Sequence, residues 1–303
     1  MRNVQIYPSK IFCFPNDILS KRLFNLTEDE YRQAIEEQEI LNVVEKQKHK
    51  RWGTVTTPFR IRVDDNTNFT LSEPLDQFDF AVLCACISEW NKNNRFTTPA
   101  IIYRAISGKV GRGDAEPGKD QLFDILTSVD KLMRTQIGVN MTKACENLKY
   151  NDGTAYKIVS AILPCKRVTE TTINGKEATV ISFDRESPLW EIANKVKNHH
   201  VLSCNTSLLN VPNQNNTRMN IAIKFYVLRR IMEILAHPKQ MVPVITFADV
   251  FEKCRIEKTN RKKKLDARET ISRFFENLQN EKFIQSFQLN KKGTSPYSIS
   301  FVR

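Results

Sequence analysis

Apolar residues recur at helical spacing along most of this chain. Over 75–93, Leu75, Phe78, Val82, Cys86 and Trp90 form one stripe of a helix, and further apolar positions widen that stripe toward deep burial. Thr97-Thr98-Pro99 supplies a capping threonine and a first-turn proline for a short helix ending at Ser107-Gly108. A third helix over 117–134 turns Leu122, Ile125, Leu126, Val129, Leu132 and Met133 inward. β-prone runs follow at 136–141, 156–163 and 177–183, the last two expected as a hairpin around Asn174-Gly175. The order then recurs. A long helix over 217–236, capped by Thr217 or Asn216, stops before Pro238 and Pro243. A short helix over 247–253 and another over 262–280 come next, then β-prone runs at 282–289 and 297–302 around the polar turn 290–295. In the 262–280 helix, Leu265, Ile271, Phe274, Phe275 and Leu278 fall at core-facing spacings.

Three helices followed by a hairpin are the ingredients of a winged helix. The predicted fold class is therefore α+β and helix-rich, with two tandem winged-helix domains at 71–197 and 217–303. Asn198, Asn205, Asn210, Pro212, Asn213, Asn215 and Asn216 make 198–216 a polar linker between them. Residues 1–70 are expected as an N-terminal extension, a helix plus an extended arm. The helix, 27–46, opens on Thr27 and Glu28-Asp29-Glu30 and ends among Lys46, Lys48, Lys50 and Arg51, which suits its dipole. The arm is the loosely alternating stretch 52–63.

Composition places this scaffold among polyanion binders. The chain has 303 residues, 41% of them hydrophobic, enough for two ordinary domains. Lys and Arg total 46 against 34 acidic residues, a net charge of +12. Residues 251–303 hold 13 Lys or Arg and 6 Asp or Glu, so more than half of the excess sits in the last sixth. A solvated charged face is the bland alternative for any such run. Seven scattered cysteines read as reduced core thiols, and Cys84 and Cys86 lack the second pair or histidine that zinc requires. No run of eighteen apolar residues and no secretory leader is found, so no membrane partner is expected and the expected compartment is cytoplasmic, associated with nucleoid or plasmid.

Catalytic chemistry finds little footing, and the chain is not expected to be an enzyme. Histidines are scarce, His49, His199, His200 and His237 only, and the pair His199-His200 lacks a carboxylate at ligand spacing. Asp64-Asp65 and Asp114 with Glu116 sit in turn-like segments, where such residues cap or solvate. Gly108-Lys109 follows a helix rather than a strand and precedes Val110, so Ser107–Gly113 fails as a phosphate loop. Tyr150, Tyr156 and Tyr226 lack the His-x-His metal motif of strand-transfer enzymes. No cofactor, metal or catalytic residue is expected.

DNA is the partner the charge pattern favours. On the 262–280 helix, Lys262, Lys263, Lys264, Arg268, Ser272 and Arg273 form the outer face, as a groove-entering helix requires. Lysines there neutralise phosphates, and Arg268 or Arg273 can bind guanine through both its acceptors, with Arg268 the leading choice. Lys291 and Lys292 at the hairpin turn would lie near backbone phosphate or a minor groove. The corresponding helix in the first half offers Lys119, Thr127, Lys131 and Arg134, with Asp124 among them, so DNA contact there competes with a packing or dimerisation role.

Tandem winged helices on a basic chain of this length resemble the initiators of iteron-type plasmid replication. Three places carry the resemblance: 75–141, with Phe96–Tyr103 and Ser128-Val129-Asp130-Lys131-Leu132; 223–234, with Leu228-Arg229-Arg230-Ile231; and the final helix and hairpin. It covers about residues 70–303. It implies a sequence-specific double-stranded DNA-binding protein that initiates replication of a plasmid or mobile element at repeated origin sites. It also implies major-groove contact by Lys264, Arg268 and Arg273, host replication proteins (a helicase or its loader) as partners, and a homodimeric form. A winged-helix transcriptional regulator and a protein-interaction module are the alternatives. The first-half helix departs from the pattern in being less basic.

Overall fold

In the computed structural model the described residues are 8–36, 41–46, 54–63, 74–111, 116–140, 157–171, 177–195, 201–257, 259–293 and 295–303. His49, Asp64-Asp65, Asp114, Tyr150, Tyr156, Asn174-Gly175 and His199-His200 lie outside them.

The fold is α+β, with several small antiparallel sheets around a helical core. Its first unit runs α3 (Gln77–Asn91), β4 (Phe96–Thr97), α4 (Pro99–Ser107), α5 (Lys119–Arg134), then β7 (Cys165–Thr171) and β8 (Glu177–Phe183). The second runs α7 (Arg218–Ala236), β10 (Val244–Thr246), α8 (Phe247–Lys253), α9 (Arg261–Asn280), β11 (Ser286–Lys292) and β12 (Ser295–Val302). Each unit closes with a three-stranded sheet in which the second hairpin strand sits between the first and the short strand: β4-β8-β7 and β10-β12-β11. The placement of the strands is the same in both sheets.

Local signals account for most helix limits. Asp76 and Asp79 make a capping box at α3, and Thr98 caps α4 with Pro99 at its first position. Thr217, Thr246 and Asn260 cap α7, α8 and α9. Gly108 ends α4 at φ 76°, and a Cβ there would stand 2.2 Å from the Asn210 backbone nitrogen. That close approach explains the glycine in a run with no phosphate-loop geometry.

Four expectations need correction. Helix 27–46 ends early: α2 is Glu28–Glu36, and Leu41–Lys46 is a strand, β2, paired with β3 (Thr54–Val63). Val43 and Val44 suit a strand, and cross-strand pairing outweighs the charge pattern that favoured a helix. The hairpin partner of β8 is β7, not the run at 156–163. That run holds β6 (Lys157–Ala161), which pairs with β5 (Thr135–Asn140) in a second sheet of order β2-β3-β5-β6. Leu265 is 53% exposed, because α9 turns Ala267, Thr270 and Ile271 inward instead. Lys131 faces inward from α5, as described below.

The described strands β1 (Ile11–Pro15) and β9 (Val201–Asn205) bring parts of 1–70 and 198–216 into the core. The strand β1 (Ile11–Pro15) follows the first described residues, and the helix α1 (Ile18–Leu23) follows it. The strand β9 (Val201–Asn205) follows α6 (Pro188–Lys195) and leads into a 3-10 turn, Thr206–Leu209. β1 pairs with β9, Ile11 opposite Asn205 and Pro15 opposite Val201. Phe12 and Phe14, both fully buried, set their rings edge-on to Phe225 of α7 at 5.6 and 5.7 Å. Phe80 of α3 meets the same ring at 5.5 Å and stacks on Phe24 at 4.6 Å. One aromatic cluster therefore joins both units and the N-terminal strand.

Charged groups reinforce that junction. Arg218, at the start of α7, donates to Asp76 at 2.7 Å and stands 3.6 Å from Asp79. Against the cost of burial, Arg218 holds the Asp76 carboxyl below its usual range. Burial and the neighbouring Asp76 push Asp79 up to about 6. Arg255, after α8, donates to the carbonyls of Pro74, Leu75 and Leu26 at 2.7–3.1 Å. Lys224 of α7 is fully buried and donates to Leu209 O and Asn216 Oδ1, each at 2.7 Å.

Candidate nucleic-acid interface

The N-terminal turn of α9 concentrates charge against the grain of the helix. Arg261, Lys262, Lys263 and Lys264 occupy its first four positions, and its first turn holds no acid. The positive end of the helix dipole lies there, so each cation costs a few tenths of a kcal/mol, roughly 0.3–1 at low salt. Asn260 caps this end, its Oδ1 accepting from Lys263 N at 2.9 Å. By contrast, α2 opens on Glu28, Asp29 and Glu30, as stability alone would favour.

The cations of α9 divide in two. Arg261, Lys262 and Lys263 are exposed, whereas Lys264 and Arg268 lean half-buried toward α8. The Arg268 guanidinium lies 5.8 Å from the ring centres of both Phe247 and Phe251, and Lys264 Nζ lies 5.9 Å from Phe251. These rings restrain both cations through cation–π attraction. Arg268 Nε has no hydrogen-bond partner among the described residues. Arg273 is tied down: it pairs with Glu269 at 2.6 Å and donates to Asn213 O at 3.3 Å. Ser272 is half-buried beside it. Asp266, Glu269 and Glu276 share the exposed stripe, so polyanion attraction fades beyond the second turn.

The hairpin adds a second basic point. β11 returns from α9 with Phe287 against Phe275 at 5.6 Å, and Phe301 of β12 meets Phe275 at 5.9 Å. Lys291 and Lys292 are exposed at its tip, where Gly293 adopts φ 64°. Tyr297 is 50% exposed beside them.

In the first unit the expected residues separate. Lys119 is exposed at the start of α5, and Thr127 and Arg134 are half-buried. Lys131 is 6% exposed and points to Asp79, 4.0 Å away, because the buried carboxylate at the start of α3 needs a counter-charge. Asp130 pairs with Arg167 of β7 at 2.6 Å. The outward centre of the helix is Phe123, 70% exposed. Three Lys or Arg and three Asp leave α5 neutral, in contrast to α9.

Sequence reasoning passed over Arg261, the Phe247–Phe251 shelf and Tyr297. Arg261 was legible as the first member of its basic run. The shelf and Tyr297 depend on contacts between elements that no local pattern records.

Among the described residues no three His, Cys, Asp or Glu side chains gather as a metal set, and no helix is long and apolar enough to cross a membrane. Burial pushes the Cys165 and Cys204 thiols up to about 12 and raises Cys84 and Cys86 well above the ordinary value, which suppresses thiolate chemistry.

No family model matches the chain, and no curated protein matches it. Among solved structures it is similar to a crystal structure of selenomethionine derivatives of domain 2 and domain 3 of RctB. The two are 10% identical over 87% of this chain and 90% of that chain, with a TM-score of 0.41.

Proposed function

We propose that this chain is a sequence-specific double-stranded DNA-binding protein that initiates replication of a plasmid or mobile element at repeated origin sites. The observation that carries the DNA reading is the set of four cations at the positive end of α9. Such a placement opposes the helix's own stability, and an array of phosphates is the partner that relieves it.

Each unit reads as a winged helix, with α5 and α9 as the third helices and β7–β8 and β11–β12 as the wings. In the second unit the N-terminal turn of α9 enters the major groove, where recognition helices use their first residues. Arg261, Lys262 and Lys263 take phosphates. Arg268, held by Phe247 and Phe251, presents its guanidinium to a base edge. From Phe287 to Lys292 the hairpin extends about 17 Å, and from Phe275 back to Lys262 the helix extends about 20 Å. In this reading both reach the same duplex, with Lys291 and Lys292 on phosphates beside the helix start. The neutral α5 makes the first unit the weaker DNA contact, with Lys119 exposed at its start. The replication role rests on the likeness of tandem units to iteron-type initiators. Host helicase or its loader and a second copy of the chain are the partners that role brings.

A mobility-shift titration tests the reading. Lys262→Ala and Lys263→Ala should weaken binding to every duplex and lower the slope of log K against log salt by about 0.9 each. No duplex affinity at low salt would refute the DNA reading. Binding at a single promoter palindrome, with no repeated sites, would leave DNA binding intact and replace initiation with transcriptional regulation.

A further inference from the structure

Tyr297 owes its position to an irregularity in the hairpin. Asn290 pairs with Ser298 and Lys291 with Pro296, so Tyr297 is the extra residue of β12, without a partner in the register. Asn290 Nδ2 donates to Ser298 Oγ at 3.1 Å and pins the ladder on the core side of this bulge. Ile299 and Phe301, farther along the same strand, are buried, while Tyr297 is 50% exposed. An extra residue bends its strand and re-aims a side chain. Here it holds an aromatic ring between the core and two exposed lysines, Lys291 and Lys292.

Resting on the duplex-binding reading above, we infer that Tyr297 reads the minor groove beside the α9 site and selects an A·T pair there. With α9 in a major groove, the hairpin beside it meets the flanking phosphate ridge, and the groove past that ridge is a minor one. Lys291 and Lys292 hold the phosphates of the groove walls, and the flat ring enters a groove about 6 Å wide. The floor of an A·T pair shows only the acceptors adenine N3 and thymine O2, which the phenol O–H can meet as a donor. A G·C pair adds the guanine 2-amino group, a donor that projects into the space the ring would fill. Tyr297 thereby supplies specificity at a position that α9 does not reach.

Inosine separates this contact from any other. Duplexes recovered by selection from a random library are prepared with A·T, G·C or inosine·C at the flanking positions, and binding is followed by fluorescence anisotropy. Inosine·C keeps the major-groove face of G·C but lacks the 2-amino group. The wild-type chain should bind the A·T and inosine·C duplexes alike and the G·C duplex about tenfold more weakly, within the usual cost of one wrong base pair. Tyr297→Ala should bind all three alike, and Tyr297→Phe should retain discrimination through the ring. Replacing Lys291 and Lys292 with alanine should weaken all three equally. Inosine·C as weak as G·C, or full discrimination by Tyr297→Ala, would overturn the assignment while leaving duplex binding in place. Absence of any duplex binding by the wild type would overturn both.

Discussion

Replacing Lys224 with methionine should remove a pH dependence from folding. The side chain is fully buried, and its two acceptors, Leu209 O and Asn216 Oδ1, match the two N–H groups of a neutral amine. Burial, with Lys109 adding to it, lowers the Lys224 pKa from 10.5 to about 7. The unfolded chain therefore binds a proton between pH 7 and 10 that the folded chain does not, and stability rises with pH across that window. Below pH 7 both states are protonated and the dependence ends. The fall from 10.5 to about 7 sets an upper bound of about 5 kcal/mol, at about 1.4 kcal/mol per pH unit. Methionine leaves two buried acceptors unpaired, at about 1–3 kcal/mol each, so the two effects nearly offset one another at pH 7. Urea denaturation at pH 7, 8, 9 and 10 measures the difference between wild type and Lys224→Met. The wild type should gain on the variant at every step. Parallel profiles would show that Lys224 stays charged in the fold and that the neutral-amine reasoning is wrong.

Arg218→Met removes the counter-charge of Asp76 and Asp79 at the junction of the units. It should cost about 2–3 kcal/mol by urea denaturation, less than for a fully buried pair because Arg218 is partly exposed. Gly108→Ala would force a Cβ against the Asn210 backbone at positive φ. A loss of about 2–4 kcal/mol is expected from thermal unfolding, and an unchanged midpoint would contradict the close approach. Arg268→Lys keeps the charge but loses the planar fork held over Phe247 and Phe251. It should reduce preference for the selected duplex over random duplex about tenfold while leaving the salt slope unchanged.

Where structure follows from neighbours in sequence, it was legible. The caps at Thr98, Thr217, Thr246 and Asn260 mark helix starts. The α9–β11–β12 succession follows from apolar spacing and one polar turn. Pairings across long stretches of chain left no such mark. Nothing near Phe12 or Phe14 indicates that β9 lies opposite, and the β-prone runs before β8 did not reveal which would pair with it. The outward placement of Lys131 failed because its partner, Asp79, comes from α3, and a buried carboxylate draws the nearest cation inward. At the candidate interface the basic run of α9 was plain. The aromatic shelf under Arg268 and the bulge at Tyr297 were not, since both arise where separate elements meet.

The pairing of β1 with β9 sets an order of events during synthesis. Phe12 and Phe14 leave the ribosome well ahead of the strand that pairs with theirs, which lies about 190 residues later. At about 5–20 residues per second, that interval is about 10–40 s. Through it, the edge of β1 that pairs with β9 stays open, the condition under which nascent chains aggregate or recruit chaperones. The strand that seals the junction is thus made ahead of its partner and seated late, and the finished core waits on the second unit's arrival.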